Sequence, residues 1–503
     1  MELHERIRSK VLREKVVSKE EAAKFIKDGM TVACSGFTPA GYPKVVPEMI
    51  AQRAQKGENI RLNIITGAST GDELDGVLAR SGVIKKRYPY QTNTDCRNGI
   101  NSGQIDFCDI HLSHLPQFIK LGYLGNIDIA LVEAVAITED GGIVPSTSVG
   151  ATNTFVQKAD KVIVEINFAQ PLDLEGLHDI YDPGDPPLRS PIPLCRVSDR
   201  IGIPYIPCPK EKIVAIVISN RKDSTNPVAE IDRDSRLIAG HIIDFLEFEI
   251  KKGRFPKNLL PLQSGVGSVA NAVLTNFKES RFENLEIYSE VLQDAVLELI
   301  DTGKVSFASG TAFTISPSKL DHFYKNLKFY KNYTILRPQE ISNNPEVIRR
   351  LGVIAMNTAI EIDIYGNVNS THIGGCAMMN GIGGSGDFTR NAALSIFTTK
   401  SVAKDGNISS IVPMVSHHDH TEHDVHVVVT EQGLADLRGL SPKERVKQII
   451  GKCAHPDFRK ELWDYYRKAL FYAKYKHTPH MLNRVFDLHN YMVKYGTMKP
   501  KVC

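Results

Sequence analysis

Between Leu259 and Ile315 the chain repeats one unit: a short apolar run, a small-residue loop and an amphipathic helical pattern. Leu259, Leu260 and Leu262 lead into Gln263-Ser264-Gly265-Val266-Gly267, after which Val269, Ala272, Val273 and Phe277 share one helical stripe. The run Leu285 to Tyr288 then leads into Ser289-Glu290. A second helix is expected to open there, with Leu292, Ala295, Val296, Leu299 and Ile300 on one face and Gly303 as its stop. Val305 to Ala308 begins a third unit. Such units in series fold as a parallel sheet with right-handed crossovers, and the loops after successive strands share the edge where these folds bind ligands. A glycine loop offering bare backbone N–H groups would then stand beside the carboxylate of Glu290. A carboxylate next to preorganised donors can act as a nucleophile on a carbonyl. Equally, a glutamate in the first turn of a helix is favoured by the macrodipole by ~0.3–1 kcal/mol and needs no chemistry.

The rest of the chain has the same α/β character. Residues 5–28 read as helix in two pieces, the second opened by the capping box Ser18-Lys19-Glu20-Glu21. Met30–Cys34 reads as a strand ending in Ser35-Gly36, with a helix from about Val45 after the turn that closes at Lys44; Leu62–Ile65, Ile127–Glu133, Lys161–Ile166 and Ile213–Ile218 are further buried strands. Prolines at 171, 183, 186, 187, 191, 193, 204, 207 and 209 exclude long helices and central strands from 168–210, which reads as a long surface excursion. A helix opens at Asp232, so two α/β domains are expected, 1–225 and 226–503. In the second, Val353–Ile364 runs into a hairpin turn at Tyr365-Gly366-Asn367, strands are expected at Leu394–Thr398 and Ile408–Val412, and Ser441-Pro442-Lys443-Glu444 starts a helix.

Bulk properties remove several function classes. A net charge of +3, with no basic run interleaved with aromatics, gives no reason to expect nucleic acid. No stretch approaches the ~18 apolar residues of a membrane span. The 8 cysteines form no C-x-x-C pair and read as thiols in a reducing compartment. The opening residues lack a secretory h-region, which makes the cytoplasm the expected location.

Two other segments carry candidate chemistry. Gly381-Ile382-Gly383-Gly384-Ser385-Gly386-Asp387 fits neither the dinucleotide fingerprint nor the P-loop, so it reads either as a ligand cradle or as a tight turn. His417, His418, His420, His423 and His426, with Asp419 and Asp424, suggest a metal. Their spacing does not match H-E-x-x-H, and neighbours in an extended chain point to opposite faces. A buried polar network is the competing reading, and no metal site is expected.

These motifs together, with Ser35–Lys44, the stretch from Gln339 through Asn343 to Val347, and Thr430-Glu431-Gln432-Gly433, resemble the acetyl-CoA hydrolase/transferase family, and within it the succinyl-CoA:acetate CoA-transferase branch. The resemblance spans nearly the whole chain. It implies a class I CoA-transferase: two related α/β domains with mainly parallel sheets, an active site between them, and a homodimer. It implies that Glu290 is the nucleophile, that the backbone N–H groups of Val266 and Gly384 form the oxyanion hole, and that Asn343 and Glu431 are polar residues of the site. CoA contacts would come from Gln263, Ser264, Gly265, Val266, Gly267, Asn380, Gly384 and Lys404. Coenzyme A is then a substrate, with no permanently bound cofactor, and the other partner is a short carboxylate. The implied reaction is ping-pong transfer through a glutamyl-CoA thioester, succinyl-CoA plus acetate being the expected pair. The alternatives are acetyl-CoA hydrolysis through the same intermediate, a metal-dependent hydrolase built on His417–His426, and a non-catalytic acyl-CoA binder.

Overall fold

The computed structural model describes residues 3–225, 230–265 and 267–499. The chain is an α/β protein with mainly parallel sheets. It forms two compact units, and neither is continuous in sequence. The first holds Met1–Pro227, Glu286–Asp301 and Val305–Leu351; the second holds Val228–Leu285, Thr302–Lys304 and Gly352–Cys503.

The first unit is built on β1 (Thr31–Cys34), β2 (Leu62–Thr66), β3 (Ile84–Tyr88), β4 (Asp106–Phe107), β5 (Ile127–Ile137), β6 (Ile143–Pro145), β7 (Ala159–Asn167) and β8 (Ile213–Ser219), in the order β4-β3-β2-β1-β5-β7-β8. All neighbours along that order are parallel, and β6 is antiparallel to β5. β5 is almost wholly buried, as expected of a central parallel strand covered on both faces. Each strand expected in this half is present; the short β4 and the lysine-rich β3 carry no apolar run that would announce them.

Two expectations fail in this unit. Residues 5–28 form three short helical pieces, Leu3–Arg6, Lys10–Arg13 and Lys19–Ala23, because Ile7 and Val16 leave the helix to bridge Ile137 and Ile216. The Ser18–Glu21 capping box opens the third piece, with both of its hydrogen bonds made. The 168–210 segment holds no long helix or central strand and is largely exposed over 181–205, but it is pinned more deeply than a surface excursion. Leu174, Leu177, Ile192, Leu194, Val197 and Ile206 are buried in it, and Ile206 and Ile203 bridge Ile143 and Ile180. Prolines bar regular ladders but not apolar burial. Asp179 of this segment also pairs with Arg337, both side chains being buried.

In the second unit, Leu262–Ser264, Ile354–Thr358, Leu394–Thr398 and Val427–Thr430 run parallel in that order, and Gly433–Asp436 returns antiparallel. Helix Arg233–Lys251 is capped by Asp232, which accepts from the Ser235 N–H. The hairpin is present, Glu361–Asp363 pairing antiparallel with Val368–Asn369. Its turn is held by the buried Asp363, whose Oδ1 accepts from the N–H groups of Tyr365 and Asn367 at 2.9 and 3.0 Å. Asp363→Ala strands both donors and is expected to lower unfolding free energy by ~1–3 kcal/mol in chemical denaturation.

Candidate functional site

Glu290 does not open a helix. It stands between strand Leu285–Tyr288 and a second short strand, Val291–Gln293, and the helix begins only at Asp294. Val291–Gln293 pairs in parallel with Ala312–Thr314, and this tertiary ladder overrides the helical spacing of the side chains. The main chain at Glu290 is fixed: its carbonyl accepts from Thr311 N and Ala312 N at 2.7 and 3.2 Å, while Ser289 N donates to the Ser309 carbonyl at 3.0 Å. Gly310 packs so close that an added Cβ would lie 2.9 Å from Leu292 Cγ and 3.1 Å from the Glu290 carbonyl oxygen.

The Glu290 side chain is half-buried, and its Oε1 accepts from Asn343 Nδ2 at 2.9 Å. Asn343 is fully buried at the end of the short helix Gln339–Ser342. That turn is fastened to the strand before Glu290 by Tyr288, whose hydroxyl donates to the Ile341 carbonyl at 2.6 Å. The structure therefore brings Glu290 and Asn343 together, and Tyr288 is a support that no motif signalled.

Loops at the ends of β1 and β2 frame this strand. Phe37, Ala68, Leu112, Val291 and Ala312 form one buried apolar cluster, with Tyr90 against it. Thr38 has φ 44°, a left-handed conformation that costs a β-branched residue ~1–2 kcal/mol. It is held there by Ser69, whose carbonyl accepts from the Thr38 N–H at 2.9 Å, and by Thr314, whose hydroxyl donates to the Thr38 carbonyl.

The same loop ends at Lys44, whose ammonium is fully buried and contacts Glu133 Oε2 at 2.5 Å and Asp223 Oδ1 at 2.9 Å. Asp223 also accepts from the Gly41 N–H at 3.2 Å, and Glu165 accepts from the N–H groups of Lys44 and Val45. Burial pushes the Glu133 carboxyl up to about 7 against the pull of Lys44. Burial likewise raises the Glu165 carboxyl. One cation among three buried carboxylates fixes the path of the 35–44 loop.

The remaining candidates belong to the second unit. Gln263 and Asn357 exchange carboxamide hydrogen bonds at 3.2 and 3.3 Å, and Gln263 Oε1 also accepts from the Met356 N–H. Asn357 reaches on to Thr389, so Gln263 is tied to the helix that follows the glycine cluster. Gly265 donates to the Met356 carbonyl at 3.0 Å, and the Ser264 hydroxyl is directed at the Gly265 carbonyl. Gly267 has φ 119° directly before helix Ser268–Glu279, a backbone only glycine adopts easily. Val266 lies outside the described residues. Gly384 precedes helix Ser385–Asn391, and Asn380 Oδ1 is buried with no hydrogen-bond partner among the described residues. A buried acceptor left in that state is a natural place for a ligand donor. Lys404 is exposed, in the turn joining Val402–Ala403 to Ile408–Ser409.

Glu431 accepts from the Ser401 N–H at 2.8 Å and from Gln432 Nε2 at 3.0 Å. Burial raises its carboxyl, but the bonds from Ser401 and Gln432 outweigh that and hold it below the ordinary range. Ser401 and Asn357 lie in no motif, so nothing in the sequence singles them out. The histidine run disperses: His417 faces Asp419, His420 faces Ser385, and His426 accepts from the Ser395 N–H. Among the described residues no group of three or more His, Cys, Asp or Glu could hold a metal. Likewise no described helix is long and apolar enough to cross a membrane.

The acetyl-CoA hydrolase/transferase N-terminal domain matches residues 1–218, and the C-terminal domain of that family matches residues 320–466. The chain is 54% identical over 495 residues to a succinyl-CoA:acetate CoA-transferase of Clostridium kluyveri, covering 98% of this chain and 92% of that protein. It is 46% identical over 514 residues to an acetyl-CoA hydrolase of Schizosaccharomyces pombe, covering 99% and 98%. Among solved structures, RipA from Yersinia pestis aligns with a TM-score of 0.70 at 23% identity, over 91% of this chain and 98% of that one, a likeness of fold.

Proposed function

That the chain belongs to the acetyl-CoA hydrolase/transferase family is the premise from which we infer that it transfers coenzyme A between short acyl groups, succinyl-CoA to acetate being the pair we assign. The observation that carries the reading is Glu290 itself, a half-buried carboxylate on an immobilised main chain with Asn343 holding one oxygen.

Glu290 attacks the thioester carbonyl of the acyl-CoA. The C–S bond breaks, CoA leaves as thiolate, and an acyl-glutamyl anhydride remains. The thiolate then attacks the glutamyl carbonyl, releasing the first carboxylate and leaving a glutamyl-CoA thioester. An incoming carboxylate runs both steps in reverse with its own acyl group, which makes the kinetics ping-pong. The oxyanion is assigned to the N–H groups of Val266 and Gly384, a contact worth ~2.7–4 kcal/mol per donor. Gln263, Ser264, Gly265, Gly267, Asn380 and Lys404 are assigned to CoA, and Glu431 to the polar wall of the site. A carboxylate is a weak nucleophile, so binding of the distant nucleotide end of CoA helps drive the reacting atoms together. No permanent cofactor takes part, and the assembly expected is a homodimer in the cytoplasm.

Incubation with acyl-CoA alone, followed by borohydride, is expected to convert Glu290 to its alcohol, read by peptide mass. An unmodified Glu290 in an active preparation excludes this mechanism. The hydrolase relative favours a second reading in which water is the acceptor. The two separate when acetyl-CoA loss is measured with and without added succinate: transfer requires the carboxylate, and hydrolysis does not.

A further inference from the structure

The histidine-rich run has a member whose partner lies in the glycine cluster. His420 is 3% exposed. Its backbone is clamped to Val368, whose N–H donates to the His420 carbonyl at 2.8 Å and whose carbonyl accepts from the His420 N–H at 3.1 Å. Its ring packs against Phe397, centroids 4.8 Å apart, on the buried strand Leu394–Thr398. So anchored, the ring places Nε2 3.1 Å from the hydroxyl of Ser385. That hydroxyl in turn donates to the Ile382 carbonyl at 2.7 Å. A serine hydroxyl has one hydrogen. With that hydrogen spent on Ile382, Nε2–H of His420 is the donor to Ser385 Oγ.

The loop so gripped has little stiffness of its own. Gly381 and Gly383 take φ 146° and 56°, and Gly384, at φ −94°, leads into the helix at Ser385. Glycines give such a loop its path but also the most backbone freedom to lose. The relay from His420 through Ser385 to Ile382 ties both sides of Gly383-Gly384 to a buried strand. We propose that His420 is a positioning residue for the reaction, fixing the direction of the Gly384 N–H through Ser385. The proposal rests on the assignment of the oxyanion contact to that N–H. Misplacing a catalytic donor by about 1 Å costs on the order of 10²-fold in rate, without a matching loss of substrate binding.

The test uses the full-length enzyme and follows the rate at which Glu290 becomes a thioester on mixing with acyl-CoA, together with KM and thermal midpoint. His420→Ala is expected to slow that step by ~10–100-fold with KM changed by less than ~3-fold. His420→Gln, which carries an amide donor at similar reach, is expected to recover most of the loss. Ser385→Ala is expected to reproduce the defect. The double variant should be no slower than the worse single one, because residues of one relay do not add. Should His420→Ala not fold, Ser385→Ala alone decides the matter. Wild-type rates in either alanine variant, or a double variant showing the product of the two losses, overturn the positioning role. An absence of thioester in the wild-type enzyme instead overturns the underlying mechanism, and this proposal with it.

Discussion

Glu290→Ala is expected to lower CoA-transfer turnover by ~10⁴-fold or more, as removal of a covalent nucleophile does elsewhere. Affinity for CoA is expected to change little, since the residues assigned to CoA are others. Glu290→Gln makes the stricter comparison. Its amide oxygen still accepts from Asn343 Nδ2, the bond that measures 2.9 Å in the native chain, so the local geometry survives while the nucleophile is gone. Equal losses in the two variants assign the effect to chemistry. A glutamine variant retaining more than a tenth of wild-type turnover, with the side chain confirmed as glutamine by mass, would refute the covalent mechanism. Steady-state kinetics on purified protein and equilibrium CoA binding supply both numbers.

The second large effect concerns stability. Lys44→Met removes the buried ammonium that pairs with Glu133 and Asp223 beside Glu165. Breaking a buried pair by deleting one partner costs ~3–5 kcal/mol, because the remaining charge is stranded. That loss is expected in chemical denaturation at neutral pH. The pH dependence has a definite sign. Burial raises the Glu133 carboxyl to about 7, so the folded chain holds this proton more tightly than the unfolded one. Its contribution is complete below the unfolded value of ~4.3 and is lost as pH rises through the folded value. Glu133→Gln cannot ionise and is expected to flatten the decline between pH ~5 and ~8 relative to wild type. A wild-type difference curve of opposite slope would refute the assignment.

Periodicity announced the strands of the first unit that carry apolar runs, and turn chemistry announced the hairpin at Asp363. Both are local signals, readable within about ten residues. The misreadings came from long-range pairing. Leu292, Ala295, Val296 and Leu299 fit a helical stripe from Glu290 onward, yet Val291–Gln293 is drawn into a ladder with Ala312–Thr314. No window short enough to show a stripe contains both partners. The proline-rich segment failed for a related reason, since proline density reports on hydrogen bonding and not on where Leu177 or Leu194 is buried. Sequence motifs nominate the candidate site residues, whereas Tyr288, Asn357 and Ser401 come into view only through their hydrogen bonds. The histidine run misleads by composition: adjacent imidazoles on an extended segment face different neighbours, so their number says little about any shared ligand.

The doubly bonded carbonyl of Glu290 and the tight approach of Gly310 make that residue's main chain a fixed pivot. Under the proposed mechanism, anhydride and thioester would form and collapse through rotation about the glutamyl side-chain torsions. A bulky acyl or pantetheine arm attached there would swing on a short lever from a fixed base. Excursions of such an adduct would be limited to the length of one side chain, which would keep the activated carbonyl near the thiolate that the proposed mechanism requires it to meet next.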